Sequence, residues 1–251
     1  MENKAAHFRS LHQTGSPLVL FNVWDAGSTR VVAKAGAAAI ATGSWSVAAA
    51  QGFDDGEKIS RDVVIDVLRR IVGSTNLPVT VDIESGFGGD PEAVAHTVRL
   101  SIEAGAIGCN IEDSRPSDGS LRSVEEAAAR IQAARRAGDE ACPGFFINAR
   151  SDLFFQRPAD EHDTSLVSEV IARARAYADA GADGLFAPGL AELTLIRELA
   201  AASPLPLNIM RFGAAPSIAE LAAARVARIS HGPHPYMLAM EALEQAARHV
   251  S

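Results

Sequence analysis

Eight short apolar runs, rich in Val, Ile, Leu and Ala, recur along the whole chain and limit what it can fold into more than any other feature. They centre on Leu18–Val23, Ala38–Thr42, Val79–Ile83, Ile107–Ile111, Phe145–Ala149, Gly184–Ala187, Leu205–Met210 and Val226–Ser230. Amphipathic helical stretches lie between most of them, the sequence form of repeated βα units. Near-continuous apolar character suits strands covered on both faces, as in a parallel sheet. Eight such units in 251 residues close most naturally as a (β/α)8 TIM-type barrel, with catalytic groups on loops at the C-terminal ends of the strands. An open doubly wound sheet is the competing architecture. It would normally carry a glycine-rich phosphate loop after its first strand, and Phe21-Asn22-Val23-Trp24-Asp25-Ala26-Gly27 matches neither a dinucleotide fingerprint nor a P-loop.

The element boundaries agree with a barrel. Ser60, Asp90 and Ser123 each stand where an N-cap oxygen would accept from free backbone N–H groups. Pro91 and Glu92 reinforce the second start, and Ser123 with Glu126 spells a capping box. Ala35-Gly36-Ala37, Ala104-Gly105-Ala106 and Ala180-Gly181-Ala182 repeat one pattern: last helical residue, left-handed glycine, entry into the next strand.

A hydrophobic fraction of 47% supplies one substantial core, and no Pro/Gly/Ser-rich linker divides the chain, so a single domain over residues 1–251 is expected rather than two. The net charge of −8, with Lys and Arg spread singly, argues against a nucleic-acid partner. Cys109 and Cys142 are the only cysteines, too few for a disulfide framework, and a cytoplasmic location is the default. Met1 to Gln13 is polar, and no later stretch approaches ~18 unbroken apolar residues, so neither export nor membrane insertion is expected.

In a barrel, polar residues at the C-terminal strand ends converge over one mouth. The set selected in this way is strongly acidic. Asp82-Ile83-Glu84 ends strand 3, Glu112-Asp113 ends strand 4, and strand 1 delivers Asn22 and Asp25. Asn148-Ala149-Arg150 ends strand 5, and strand 7 offers Asn208. Alternation puts Asp82 and Glu84 on one face, with Glu112 arriving from the neighbouring strand. Three carboxylates so placed would repel one another unless a cation compensated. Hard oxygen ligands with room for water suggest Mg²⁺, or Mn²⁺ in its place, rather than Zn²⁺. Arg150 supplies a planar fork suited to a substrate carboxylate. Each acid taken alone reads as a solvated loop residue or a helix cap, and it is their joint placement that points to a site. Trp24 and Trp45 are candidates to line the pocket or simply to pack. His231 and His234 follow strand 8, where either is a candidate acid or base; for His231 the alternative is local bonding in a Gly/Pro-shaped turn. Ser44 and Ser46 lack a Ser-His-acid pattern and read as substrate contacts.

With Thr42-Gly43-Ser44-Trp45-Ser46-Val47 after strand 2 and Asp82-x-Glu84-x-Gly86-Phe87-Gly88 after strand 3, the chain resembles the isocitrate lyase/phosphoenolpyruvate mutase superfamily. Asn22-Val23-Trp24-Asp25-Ala26-Gly27-Ser28, Ile111-Glu112-Asp113, Asn148-Ala149-Arg150 and Gly232-Pro233-His234-Pro235-Tyr236 extend the match nearly end to end. The resemblance implies that Asp82 is the principal metal-side carboxylate, with Glu84 and Glu112 holding metal-bound waters. Members commonly have Asp where this chain has Glu84. Backbone N–H groups near Gly43, Ser44 and Trp45 would hold the keto-acid carboxylate, and Arg150 would bind near the reacting end. A mobile loop closes over the substrate in the family; here it would be 51–57, with Asp55 as the gating acid. The family also implies a homo-oligomer, a dimer or tetramer, in which the last helix, about Tyr236 to His249, is exchanged onto a neighbouring subunit.

Two departures place the chain outside the well-defined branches. After strand 4 it reads Asp113-Ser114-Arg115-Pro116-Ser117-Asp118-Gly119, where the lyases carry Lys-Lys-Cys-Gly-His and the mutases an asparagine-bearing Lys-Thr-Asn segment. Cys109, inside strand 4, does not replace the lyase cysteine. The leading expectation is a Mg²⁺-dependent carbon–carbon lyase or decarboxylase acting on a small α-keto or 2-hydroxy di- or tricarboxylic acid through an enolate. Phosphonopyruvate-type P–C chemistry and a non-catalytic keto-acid-binding protein are the alternatives.

Overall fold

A computed structural model of the chain describes residues 1–213 and 215–250. Each of the eight apolar runs coincides with a strand, β4 and β5 running one residue past theirs: β1 Leu18–Leu20, β2 Ile40–Ala41, β3 Val79–Asp82, β4 Gly108–Glu112, β5 Phe146–Arg150, β6 Gly184–Ala187, β7 Leu207–Met210 and β8 Arg228–Ser230. The strands pair in parallel, each beside the next in sequence from β2 to β8, and β8 returns to β1 with Leu18 opposite Arg228. The remaining seam, between β1 and β2, is closed by a single parallel bridge, Val23 to Thr42, in which Val23 N–H donates to the Ala41 carbonyl at 2.9 Å. The architecture is a (β/α)8 barrel.

Ten α-helices accompany the strands among the described residues: α1 Glu2–Ser10, α2 Ala26–Lys34, α3 Ser44–Ala50, α4 Arg61–Gly73, α5 Pro91–Glu103, α6 Val124–Ala141, α7 Thr164–Asp179, α8 Leu193–Ala202, α9 Ile218–Ala223 and α10 His234–Arg248. The expected caps form. Asp90 accepts from Ala93 N–H at 2.8 Å with Pro91 opening the helix, Ser60 accepts from Val63 N–H, and Ser123 and Glu126 bond each other's backbone reciprocally. Gly36, Gly105 and Gly181 all adopt left-handed φ, at 93°, 101° and 96°. Two of them are also short of room, since a Cβ on Gly105 would sit 2.7 Å from Val72 Cγ1 and one on Gly181 2.6 Å from Arg135 Cγ.

Two helices are additional to the eight-fold repeat. The polar N-terminus folds as α1 and plugs the barrel floor: Phe8 is fully buried, edge-on to Phe146 at 5.5 Å, while His12 stacks on Phe146 at 4.1 Å. The second, α3, lies in the β2–α4 connection and brings Gly43 and Ser44 to the mouth. At the far end, α10 buries only Pro235 and leaves Met237, Leu238, Met240 and Leu243 exposed. Among the described residues no helix is long and apolar enough to cross a membrane.

Candidate active site

The mouth of the barrel holds a cavity of ≈ 200 Å³ lined by residues from all eight strand ends or the loops that follow them. Its polar side is formed by Asn22, Gly43, Ser44, Asp55, Asp82, Asn110, Arg150 and Ser230, and its apolar side by Trp45, Phe155, Phe186, Pro188, Met210, Phe212 and Pro233. Two clefts are larger. One, of ≈ 550 Å³ between Leu11 and Ala38, has no titratable lining residue, and in the other, of ≈ 600 Å³, Arg115 is paired with Glu126 and Arg130 binds the Ser85 and Gly88 carbonyls. Of the three, the mouth cavity is the one that lies where the C-terminal strand ends converge, which makes it the candidate site.

Asp82 is the last residue of β3. Its N–H donates to Thr42 Oγ1 at 2.9 Å, and its carboxylate accepts from Glu84 N–H at 3.1 Å and, more weakly, from Ser44 N–H at 3.4 Å. Burial pushes its pKa up, against the pull of Arg150. Glu84 lies past the strand end in a left-handed conformation, φ 49°, so its position follows from a turn rather than from strand alternation. It is 3% exposed, and burial, with Asp55 next in effect, pushes its carboxyl to about 8. Phe87 is left-handed as well, at 57°, and such backbone strain persists only where surrounding contacts hold it.

Those contacts come from the 51–57 segment. Glu57 N–H donates to Glu84 Oε2, and the Glu57 carboxylate accepts from Ser85 Oγ at 2.7 Å and from Phe87 N–H at 2.8 Å. The loop is thereby docked with Asp55 in the cavity wall. Glu57 was missed by the sequence reading, in which only its neighbour Asp55 drew notice.

Arg150, at the end of β5, pairs with Glu112 Oε2 at 2.8 Å and with Asp152, and its guanidinium lies 5.5 Å from the Phe155 ring centroid. Burial alone would lower its pKa, but Glu112 and Asp152 outweigh that and hold it charged. Burial is also the largest influence on Glu112, raising its carboxyl above the usual range while Arg150 opposes. Asn110, two residues before Glu112 on the same face of β4, forms part of the floor. Its Oδ1 accepts from Asn148 Nδ2 at 2.9 Å and from Arg228 Nη2 at 3.2 Å, which fixes the amide so that its NH₂ group is the free end.

Of the residues singled out in the sequence, Gly43, Ser44, Trp45, Asp55, Asp82 and Arg150 line the cavity. Glu84 and Glu112 stand behind Asp82 and Arg150. Asn148 and Asn208 are one pleat repeat below Arg150 and Met210, bonded to Asn110 and Ser230 respectively, and do not line the cavity. Trp24 packs edge-on against Tyr236 at 5.1 Å. Asp25 caps α2, accepting from Ser28 N–H at 2.6 Å, and is exposed away from the cavity. His231 Nδ1 bonds the Leu20 carbonyl at 3.1 Å, burial lowers its pKa, and its ring faces Phe21 rather than the cavity. Asn22 joins three strand ends, donating to the Thr42 carbonyl at 2.9 Å and accepting from the N–H groups of His231 and Gly232 at 2.9 and 3.0 Å. Asn110, Phe186, Met210 and Ser230 were not singled out, although strand alternation points the inward residues near the ends of β4, β6, β7 and β8 at the mouth.

Among the described residues no three His, Cys, Asp or Glu side chains converge closely enough to enclose a metal by themselves. Asp82 instead offers one half-buried carboxylate with no ion-pair partner among those residues, and the buried Glu84 stands close behind it. One or two carboxylate ligands, with the remaining positions left to water and substrate oxygens, is the arrangement Mg²⁺ favours, so these residues fit that ion.

A family model for phosphoenolpyruvate phosphomutase matches residues 8–251. A crystal structure from Burkholderia cenocepacia J2315, described provisionally as a phosphonomutase, is 60% identical, with a TM-score of 0.97 over 100% of this chain and 99% of that one. The 2-methylisocitrate lyase of Escherichia coli K12 is 34% identical over 97% of this chain and 81% of its own. A phosphonopyruvate hydrolase solved with oxalate and Mg²⁺ shares the fold at 23% identity, with a TM-score of 0.86 over 98% of this chain and 86% of that one. The chain belongs to the phosphoenolpyruvate mutase family, within the isocitrate lyase/phosphoenolpyruvate mutase superfamily that its strand-end motifs resemble.

Proposed function

We propose that the mouth cavity binds the 2-oxo-carboxylate end of a small organic acid together with Mg²⁺, and that the enzyme makes or breaks the carbon–carbon bond beside that carbonyl, as a lyase or decarboxylase. The observation that carries this is the half-buried Asp82 carboxylate, without an ion-pair partner among the described residues, in one cavity with the Ser44 backbone N–H and the Arg150 fork. The relative solved with oxalate and Mg²⁺ supports the same pairing of ligand and ion. Bound at Asp82, with Glu84 and Glu112 behind it, Mg²⁺ would withdraw electron density from the keto and carboxylate oxygens. The backbone at Gly43, Ser44 and Trp45 orients the substrate carboxylate. Arg150, fixed by Glu112 and Asp152, presents positive charge where negative charge grows as the bond breaks. Asp55, carried on the docked loop, moves the proton at the reacting end, and that loop excludes water.

The test is pyruvate release from oxaloacetate, 2-methylisocitrate, dimethylmalate and phosphonopyruvate, with glyoxylate release followed for isocitrate. We expect release from a carbon–carbon substrate with Mg²⁺, loss of it in EDTA, and at least a ~100-fold loss in Asp82→Asn. Release from phosphonopyruvate alone would move the enzyme to P–C chemistry. Binding of oxalate with no turnover of any substrate would favour a binding protein.

The exposed apolar side chains of α10 also support a homo-oligomer in which that helix is covered by another subunit.

A further inference from the structure

The cavity floor carries a donor that the proposed chemistry does not use, the NH₂ group of Asn110. Asn110 is the register partner of Asp82 on the neighbouring strand, so the two side chains stand on one face of strands roughly 4.8 Å apart. Both line the cavity. The Asn110 Oδ1 already accepts from Asn148 Nδ2 at 2.9 Å and from Arg228 Nη2 at 3.2 Å, while its Nδ2 has no protein acceptor among the described residues. Turning the amide over would break both bonds, so its N–H groups are held toward whatever occupies the floor.

One of those two bonds comes from an unusual partner. Arg228 is 1% exposed and makes no ion pair among the described residues, and its Nε and Nη1 have no hydrogen-bond partner there. Its one side-chain hydrogen bond goes to Asn110. Burial lowers its pKa to about 10, which leaves it a cation at neutral pH, and Asp82 is the carboxylate that acts on it most. A buried cation without a carboxylate beside it destabilises a fold. What it gives the site is a polarised amide, because positive charge at the carbonyl oxygen makes the N–H groups at the other end stronger donors.

The reaction has a use for such a donor. When a 2-oxo acid loses its C3 carboxylate as CO₂, the electron pair of the broken bond forms C2=C3 and the carbonyl pair moves onto the C2 oxygen. When a 2-hydroxy acid is cleaved, that oxygen first gives its proton to the site's base, and a lone pair then forms the carbonyl as the C2–C3 pair leaves with C3. In both reactions the C2 oxygen is anionic at the stage when the bond breaks, and a preorganised donor aimed at it is worth most then.

We infer that Asn110 is a catalytic hydrogen-bond donor to the C2 oxygen of the substrate, and that Arg228 is the positioning residue that orients and polarises its amide. The assignment rests on the binding of Mg²⁺ and a 2-oxo-carboxylate at Asp82, Ser44 and Arg150 proposed above.

Oxalate and pyruvate test it, since the two share a planar head and differ in carrying a charged or a neutral oxygen where the donor would act. Both are measured calorimetrically on the full chain with Mg²⁺, pyruvate by displacement of oxalate. Asn110→Ala should weaken oxalate at least ~10-fold, about 1.4 kcal/mol, and pyruvate less than ~3-fold. Arg228→Met should weaken oxalate selectively in the same sense, and Arg228→Lys, which keeps the charge, should restore it. Asn110→Asp keeps an acceptor for Asn148 and gives Arg228 a counter-charge, so it preserves the fold while removing the donor; it should lose oxalate as Asn110→Ala does, and it decides the matter if the alanine variant fails to fold. Oxalate affinity within ~3-fold of wild type in the Asn110 variants, or equal weakening of oxalate and pyruvate, overturns the inference and leaves the binding reading standing. Failure of oxalate to bind the wild-type chain overturns that reading, and the role of Asn110 falls with it.

Discussion

Glu84 shows how much the site depends on individual side chains. It is a nearly buried carboxylate in a left-handed turn, and burial lifts it to about 8 from an ordinary 4.5. In the metal-free protein it is therefore protonated at neutral pH, while in the unfolded chain it is ionised. An acid whose folded pKa is raised contributes stability below its unfolded pKa and loses it as pH rises through the folded one. Metal-free protein should lose thermal stability as pH rises from about 5 to 8, Mg²⁺ should restore more at pH 8 than at pH 6, and Glu84→Gln should reduce both trends in thermal melts, leaving the part that Glu112 carries. An unchanged melting temperature across that range in metal-free protein would show that Glu84 is already ionised. The presence of acids at the strand 3 and strand 4 ends was legible in the sequence. The turn that carries Glu84 was not, because alternation predicts a strand face and the strand stops at Asp82. The fates of Asp25 and His231 were equally hidden, since a capping oxygen and a ring bonded to the Leu20 carbonyl look like catalytic groups until their partners are known.

Elements were the most legible level. Every apolar run coincides with a strand, and the three Ala-Gly-Ala junctions are built alike. They are not equally demanding, however. Gly36 has open space where a Cβ would go, whereas at Gly105 the Cβ would meet Val72 at 2.7 Å. Gly36→Ala should cost only the backbone term, roughly 1–2 kcal/mol, and Gly105→Ala roughly 2–4 kcal/mol, because overpacking is added to it. Denaturant unfolding of the two variants measures the gap, and equal losses would mean that Val72 yields without cost. What the sequence concealed at this scale were α1 and α3, one polar and the other a single short Ala-rich stretch. Neither has the apolar periodicity that marks the helices packed on the outside of the barrel.

At the scale of the whole molecule, the apolar side chains along α10 are the feature a single chain leaves unresolved. Leu243 is 63% exposed, and Met237, Leu238 and Met240 extend its face. Light scattering should report a dimer or tetramer, and Leu238→Glu/Leu243→Glu should shift it to a smaller species at micromolar protein. A monomer in both cases would leave that face without a partner of its own kind. Family and fold were legible because strand-end motifs are local in sequence, while assembly depends on surfaces that a pattern of residues does not distinguish from an ordinary outer helix.

The Asn22 clasp ties the order of synthesis to the making of the mouth. Its carbonyl oxygen receives two backbone N–H groups that lie 209 and 210 residues further along the chain. A nascent polypeptide leaving the ribosome carries this asparagine early, but its partners appear only after some two hundred further residues have been made. Until then the first strand has no neighbour on its β8 side, and the active-site rim has no fixed shape. Contacts of such long sequence separation form late and slowly. The mouth thus takes its shape only once β8 has been made, and a product cut short before Arg228 would have seven strands and no mouth to close.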